Sequence, residues 1–146
     1  MSELLARLQS DLNVARKARD KSATLVLGTI LADIKNKKIE LRREPVDEDV
    51  FDVLRKSIKR RRESIEMFEA GKRVDLADKE RAEAVLLEHY LPASASDDEV
   101  RAGVQAAMAD GASNIGAVMK AMASFRARAE GSRINAIARE ELGKRS

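Results

Sequence analysis

The amino-acid sequence predicts an all-α protein, with four longer N-terminal helices followed by a small three-helix C-terminal domain. Leucine, alanine, glutamate, lysine and arginine dominate its 146 residues, and these residue types lose little entropy in a helix. Apolar residues also recur at alternating steps of three and four, which is the repeat of one helix face. The content of 44% hydrophobic and 36% charged residues is typical of a globular, strongly solvated chain.

The first four helices are predicted from apolar stripes and from residues that begin and end helices. Glu44 precedes Pro45, and the second helix ends there because a residue before proline avoids helical angles. Asp47 is expected to cap the third helix, and Gly71 to end it in a left-handed conformation. The predicted ranges are about 3–19, from after Asp20 or Ser22 to 43, 47–71 and 75–90.

A short, uncharged stretch from Pro92 to Ser96 predicts a linker, which places the two domains at residues 1–92 and 93–146. The formal net charge of +3 divides at Pro92 into +2 (20 Lys and Arg against 18 Asp and Glu) and +1 (8 against 7). Any electropositive surface must therefore come from local clustering of cations.

Three shorter helices are predicted after the linker. Ser96 and Glu99 have the spacing of a capping box, which opens the fifth helix. The residues predicted to begin the three helices are Ser96, Asn114 and Ser132, and those predicted to end the first two are Gly111 and Gly131. The sixth helix is thus expected to continue through Phe125.

The third predicted helix carries six cations among the eight residues from Arg55 to Arg62. An apolar seam nevertheless runs along it, at Phe51, Leu54, Ile58, Ile65 and Phe68. Arg61 occupies a seam position where the repeat calls for an apolar residue. Either its stem packs on the core while its guanidinium pairs with an acid of a neighbouring helix, or it projects into a groove. The first interpretation is favoured, since helices commonly bury arginine stems at their edges.

Two interpretations of this basic cluster stay open. A charge run on a helix is usually a solvated face, and Lys59 and Arg62 can pair with Glu63 and Glu66 one turn away. Alternatively, the cluster binds phosphate groups. A second cluster lies on the preceding helix, at Lys35, Lys37, Lys38, Arg42 and Arg43. If these two helix faces meet, the clusters merge into one phosphate-binding surface.

Several classes of function lack their residues in this sequence. Cysteine is absent, no glycine-rich phosphate loop precedes a lysine, and the single histidine, His89, has no companion ligands. No apolar run approaches the roughly 20 residues that span a bilayer, and no signal-peptide core is present at the N-terminus. We therefore expect a cytoplasmic protein with no autonomous catalytic site, no cofactor, no bound metal and no membrane partner.

Several segments together resemble one known family. The strongest is KRRRESIEMFEAGKRVDLADKE, from Lys59 to Glu80. Others are Asp20-Lys21, Ile34-Lys35-Asn36, Glu88 to Pro92 with its Tyr-Leu-Pro ending, and the C-terminal set Gly116, Val118, Met119, Arg128, Gly131 and Asn135. This combination runs almost end to end and resembles the GatB/YqeY family, specifically its small free-standing YqeY-like proteins.

The resemblance implies a helical N-terminal part and a three-helix C-terminal domain similar to the tail of the B subunit of glutamine-dependent aspartyl/glutamyl-tRNA amidotransferase. That tail helps to hold tRNA, and the family is associated with carbon–nitrogen ligase activity with glutamine as amido-N-donor. This chain has no residues that could run that reaction alone. It also departs from the family pattern, with Ala123-Ser124 and Ala127 where the family often has proline and glycine. A straighter sixth helix is therefore expected, which would place Arg126 and Arg128 differently.

The leading hypothesis is a non-catalytic module that binds tRNA or another structured RNA. The candidate phosphate contacts are Arg55, Lys59, Arg60, Arg62, Arg126, Arg128 and Arg133. Few aromatic residues argue against binding by base stacking, so recognition through the RNA backbone fits better. Two alternatives stay open. One is a protein-interaction adaptor, which an exposed apolar groove beside Arg61 would favour. The other is a component that supports amidation only with separate catalytic subunits.

Overall fold

The computed structural model describes residues 2–145, and within that range the chain forms seven α-helices, one short 3₁₀ helix and no strand. The helices are α1 (Glu3–Lys17), α2 (Lys21–Leu41), α3 (Asp47–Ala70), α4 (Val74–Glu88), α5 (Asp97–Ala109), α6 (Ile115–Ala121), the 3₁₀ helix (Ala123–Ala127) and α7 (Gly131–Gly143). The predicted all-α class is confirmed. None of the helices in the described range is both long and apolar enough to cross a membrane.

The chain divides into two compact units, residues 1–91 and 92–146, and each has its own core. The N-terminal core is built from one face of α1, α2, α3 and α4. Its buried members are Leu4, Leu5, Leu8, Leu12, Val26, Leu27, Ile30, Ile34, Val50, Leu54, Ile58 and Leu87. Most of the predicted seam of α3 thus packs where the three- and four-residue repeat places it.

Side-chain caps begin the first two helices. The Ser2 hydroxyl accepts a hydrogen bond from the Leu5 N–H, and the Asp20 carboxylate accepts one from the Ala23 N–H, both at 3.1 Å. These bonds satisfy backbone donors that have no partner inside a helix. The helix α2 ends at Arg42, which has a left-handed φ of 57°.

The turn between α3 and α4 differs from the prediction at Gly71. This glycine has a φ of −84°, so it is not the left-handed residue; Lys72 is, with a φ of 58°. The Arg73 N–H donates to the Phe68 carbonyl at 2.7 Å and closes the turn one residue later than expected. The third helix likewise begins at Asp47, with Val46 in the cap position, because the Asp49 carboxylate accepts from the Val46 N–H.

In the C-terminal unit, α5, α6 and α7 surround a second core. Its buried members are Ala95, Val100, Val104, Met108, Val118, Met122, Ala129, Ile134, Ile137 and Ala138. The capping box at Ser96 and Glu99 is confirmed, and so is the start of α6, where the Asn114 side chain accepts from the Ala117 N–H.

The predicted long, straight sixth helix is wrong. The α-helix stops at Ala121, and a 3₁₀ helix follows, with hydrogen bonds from Phe125 N–H to Met122 C=O and from Arg128 N–H to Phe125 C=O. This tight turn brings Met122 and Phe125 against α5 at Gly103, where a Cβ atom would lie 2.9 Å from both side chains. Close packing on a glycine of another helix therefore determines the 3₁₀ conformation of the backbone after α6.

The start of the seventh helix also differs from the prediction. Glu130, rather than Ser132, is the capping residue, because its carbonyl accepts from the Arg133 and Ile134 N–H groups at 3.1 Å. Gly131 is consequently the first residue of α7 instead of a break before it.

Candidate nucleic-acid interface

The basic stretch of α3 separates into one inward arginine and five outward cations. Leu54 and Ile58 are buried, and Arg61 follows them toward α4. The other five, Arg55, Lys56, Lys59, Arg60 and Arg62, lie outside the seam, and we call them the cationic face. No acidic residue interrupts positions 53–62, so this face spans about 10 Å of helix with one sign of charge.

The cationic face is flanked by acids from both neighbouring helices. Arg60 leans toward α2, where its guanidinium lies 3.4 Å from the Asp33 carboxylate, and its side chain stays 60% exposed. Arg62 leans toward α4 and donates to Glu88 at 2.8 Å, with 66% of its side chain exposed. The face is therefore spread around the outer half of α3 rather than aligned as one row.

The two ion pairs predicted within α3 do not form. Among residues 2–145, Lys59 has no ion-pair partner, and Arg62 bonds to Glu88 instead of Glu66. Because α4 runs antiparallel to α3, it brings a carboxylate to Arg62 from 26 positions away. Exposed Lys59 thus keeps its charge open to an external partner.

Arg61 is a structural residue, as favoured from the sequence. Its guanidinium contacts Glu80 at 3.3 Å and forms a short ion pair with Glu83, both on α4. Only 15% of the Arg61 side chain and 6% of the Glu83 side chain are exposed. A charge held in this way neutralises a buried carboxylate and is not available to an RNA phosphate.

The cationic cluster of α2 divides between two grooves. Lys37 lines a cleft of about 250 Å³ between α2 and α3, together with Lys56 and Arg60. Lys35 and Lys38 line a different, more apolar groove between α1 and α2. The two clusters therefore meet at Lys37, which shares this cleft with two cations of α3.

Two cations of the second cluster, Lys38 and Arg43, pair with nearby acids. Lys38 lies 2.6 Å from Glu44, and Arg43 lies 2.8 Å from the buried carboxylate of Asp49. The pKa of Glu44 is lowered by its hydrogen bond from Lys38, and the pKa of Arg43 is raised by its hydrogen bond to Asp49.

The C-terminal candidates Arg128 and Arg133 hold the segment that precedes α5. Arg128 donates to the Ala93 carbonyl at 3.2 Å and to Glu99 at 2.5 Å, and its own carbonyl accepts from the Ala95 N–H at 2.7 Å. Arg133 donates to the Ala95 carbonyl and lies 3.5 Å from Asp97. We call this arrangement the arginine clamp.

The arginine clamp makes the predicted linker part of the C-terminal unit. Ala95 is only 2% exposed and belongs to the C-terminal core, so residues 93–97 pack as part of that unit. Much of the donor capacity of Arg128 and Arg133 is directed at these residues. Arg126 lies on the 3₁₀ helix and is half-buried. The sequence carried no local signal for the clamp, because its partners are separated by 29 to 38 positions.

Acidification is expected to destabilise the C-terminal unit. The hydrogen bond from Arg128 lowers the pKa of Glu99, and hydrogen bonds from Lys144 and Gln105 lower the pKa of Glu141. Because both folded-state values lie below the ordinary 4.5, this stabilisation is complete above that pH and is lost as the pH falls through the folded values. NMR of the full chain from about pH 6 to 3 measures both carboxylates. In Arg128→Gln, the Glu99 midpoint should rise toward its ordinary value while that of Glu141 stays; an unmoved Glu99 midpoint contradicts this account.

Comparisons with known proteins identify relatives along most of the chain. The profile of the family described as Yqey-like protein matches residues 5–142. Two proteins named altered inheritance of mitochondria protein 41, mitochondrial, are 37% identical over 108 residues in Eremothecium gossypii and 38% identical over 109 residues in Kluyveromyces lactis. These matches cover 72% and 73% of this chain but only 59% of each relative.

A third relative is an uncharacterized protein of Schizosaccharomyces pombe, 34% identical over 94 residues, which are 64% of this chain and 76% of that protein. The family profile extends over both helical units and includes the basic stretch, the α3–α4 turn and the clamp. The chain therefore belongs to the YqeY-like protein family.

Proposed function

We propose that this chain is a non-catalytic module that binds tRNA or another structured RNA through phosphate groups. The observation that carries the proposal is the cationic face of α3, where outward cations are uninterrupted by acids over positions 53–62. Phosphate contacts of this kind supply affinity without reading sequence. Any carbon–nitrogen ligase reaction associated with the family would then use the chain for RNA binding, with bond formation carried out elsewhere.

The scarcity of exposed aromatic rings favours structured RNA over single strands. Phe51 and Tyr90 pack against the N-terminal core, Phe125 packs in the C-terminal unit, and Phe68 is half-buried on α3. Proteins that bind single strands without sequence preference rely on rings that stack with bases. A rigid helix lined with lysine and arginine instead suits the backbone of a folded RNA.

An apolar groove beside Arg61 would favour the adaptor alternative. The cavity at that position, of about 270 Å³, is polar and is lined by Thr29, Asp33, Ser57, Arg60, Arg61, Ser64 and Glu80. The exposed large hydrophobic residues lie scattered along the chain, as is normal for a protein surface. We therefore place RNA binding first.

Titrating a tRNA transcript at several salt concentrations tests the proposal. Each phosphate contact releases counterions, so the logarithm of the association constant should fall linearly with the logarithm of salt concentration. With three to five cations of α3 in contact, the slope should be about −2 to −5. Fluorescence anisotropy of labelled tRNA gives this slope directly. Absent binding, or an affinity flat in salt, overturns the proposal.

A further inference from the structure

Two adjoining cavities lie beside the cationic face, and we call them together the cleft. They have volumes of about 250 and 270 Å³ and meet at the ion pair of Asp33 and Arg60, which lines both. On α3 the walls extend from Asp52 to Ser64, a length of about 18 Å. Arg60 belongs both to this cleft and to the cationic face, so a ligand on that face borders the cleft.

The charges that line the cleft are balanced. Its cations are Lys37, Lys56, Arg60 and Arg61, and its acids are Asp33, Glu40, Asp52 and Glu80. A phosphate inside the cleft would meet as many carboxylates as cations, so phosphates belong on the outer face. An uncharged group that offers both a hydrogen-bond donor and an acceptor suits these walls better than an anion does.

One end of the cleft is lined by hydroxyl groups. Thr29 donates its hydroxyl proton to the Leu25 carbonyl at 2.9 Å, which leaves the hydroxyl oxygen free to accept a bond. The Ser64 hydroxyl also faces this cavity and has no hydrogen-bond partner within residues 2–145. Asp33, on the opposite wall, pairs with Arg60 at 3.4 Å through one carboxylate oxygen, and its other oxygen can accept a further bond. A small hydroxyl-bearing group matches these three side chains.

We infer that this end of the cleft binds a ribose 2′-hydroxyl of an RNA whose phosphates lie on the cationic face; this inference rests on the proposed function. The 2′-hydroxyl is uncharged, donates and accepts, and lies next to the phosphate along the RNA backbone. It donates to Asp33 and accepts from Ser64, while Arg60 contacts the neighbouring phosphate. The cleft thereby distinguishes RNA from a polyanion of equal charge.

The test compares an RNA hairpin with the same hairpin carrying fluorine in place of every 2′-hydroxyl, which keeps the phosphates but removes the hydroxyl donor and leaves only a very poor acceptor. The full chain should bind the fluorinated hairpin about fivefold more weakly, the effect of one or two lost hydrogen bonds. In Ser64→Ala the difference should shrink to about twofold, because the unmodified hairpin loses a partner. Ser10→Ala, an exposed serine on α1, is the matched control and should keep the fivefold difference.

The possible failures are distinguishable. If the wild-type chain binds neither hairpin, the proposed function fails and this inference fails with it. If it binds both hairpins with equal affinity and the expected salt slope, phosphate binding is supported and this inference is overturned. The cleft would then be a candidate site for side chains of a protein partner. A fivefold difference that Ser64→Ala leaves unchanged also overturns the assignment to this cleft.

Discussion

Replacing Arg61 with alanine is expected to lower the free energy of unfolding of the N-terminal unit by about 3–5 kcal/mol. The change leaves Glu83, which is 6% exposed, as a buried carboxylate without its short ion pair, and leaves Glu80 without its partner as well. An uncompensated buried charge is among the costliest single changes in a protein. Tyr90, the single tyrosine of the chain, lies in this unit, so its fluorescence in a urea titration reports the unfolding directly.

Arg62→Ala is the matched control, since it removes the neighbouring arginine and its pair with Glu88. That side chain is 66% exposed, and pairs of this kind contribute about 0–1 kcal/mol. The double variant Arg61→Met, Glu83→Leu should recover most of the lost stability, because two apolar side chains replace the pair without leaving a charge buried. Equal losses for Arg61→Ala and Arg62→Ala would contradict the structural role of Arg61.

Reversing two charges on the cationic face should weaken RNA binding by about 100-fold or more. In Lys56→Glu, Lys59→Glu both changes fall on exposed positions of α3, so each removes a phosphate contact and adds repulsion. The salt slope should also become less steep by about 2, one for each lost contact. Anisotropy titrations with the same tRNA at several salt concentrations measure both quantities.

The control for this variant carries the same change in net charge elsewhere. Lys17 and Lys79 are exposed on α1 and α4, outside the cationic face. Lys17→Glu, Lys79→Glu should weaken binding by less than about fivefold and leave the slope nearly unchanged. If both double variants lose affinity equally, binding depends on total charge rather than on this face. Circular dichroism of the two variants should be superimposable, since all four positions are solvated.

The sequence predicted the helices well where interactions between residues close in the chain determine them. The three- and four-residue repeat placed Leu54 and Ile58 in the core, and capping residues placed the starts of α5 and α6. These features depend on residues within one or two helical turns. The turn at Gly71 was predicted less well, because the residue with the left-handed conformation is Lys72, one position later.

Contacts between helices explain what the sequence could not predict. The 3₁₀ helix follows from the approach of Met122 and Phe125 to Gly103, about twenty positions earlier in the chain. Arg62 forms its ion pair with Glu88 and not with Glu66, because the antiparallel α4 places the Glu88 carboxylate beside it. The sequence therefore predicted the cluster of cations on α3, while the orientation of each cation depended on partners that only the folded chain brings near.

The arginine clamp determines where this chain can be cut without damage. A fragment begun at Ser96, the position suggested by small uncharged residues and a capping box, would lose Ala95 from its interior and the carbonyl acceptors of Arg128 and Arg133. A fragment begun at Pro92 keeps all of them. Protease sites, fusion junctions and affinity tags therefore belong before Pro92, even though the five residues from Pro92 to Ser96 resemble a linker between the two halves.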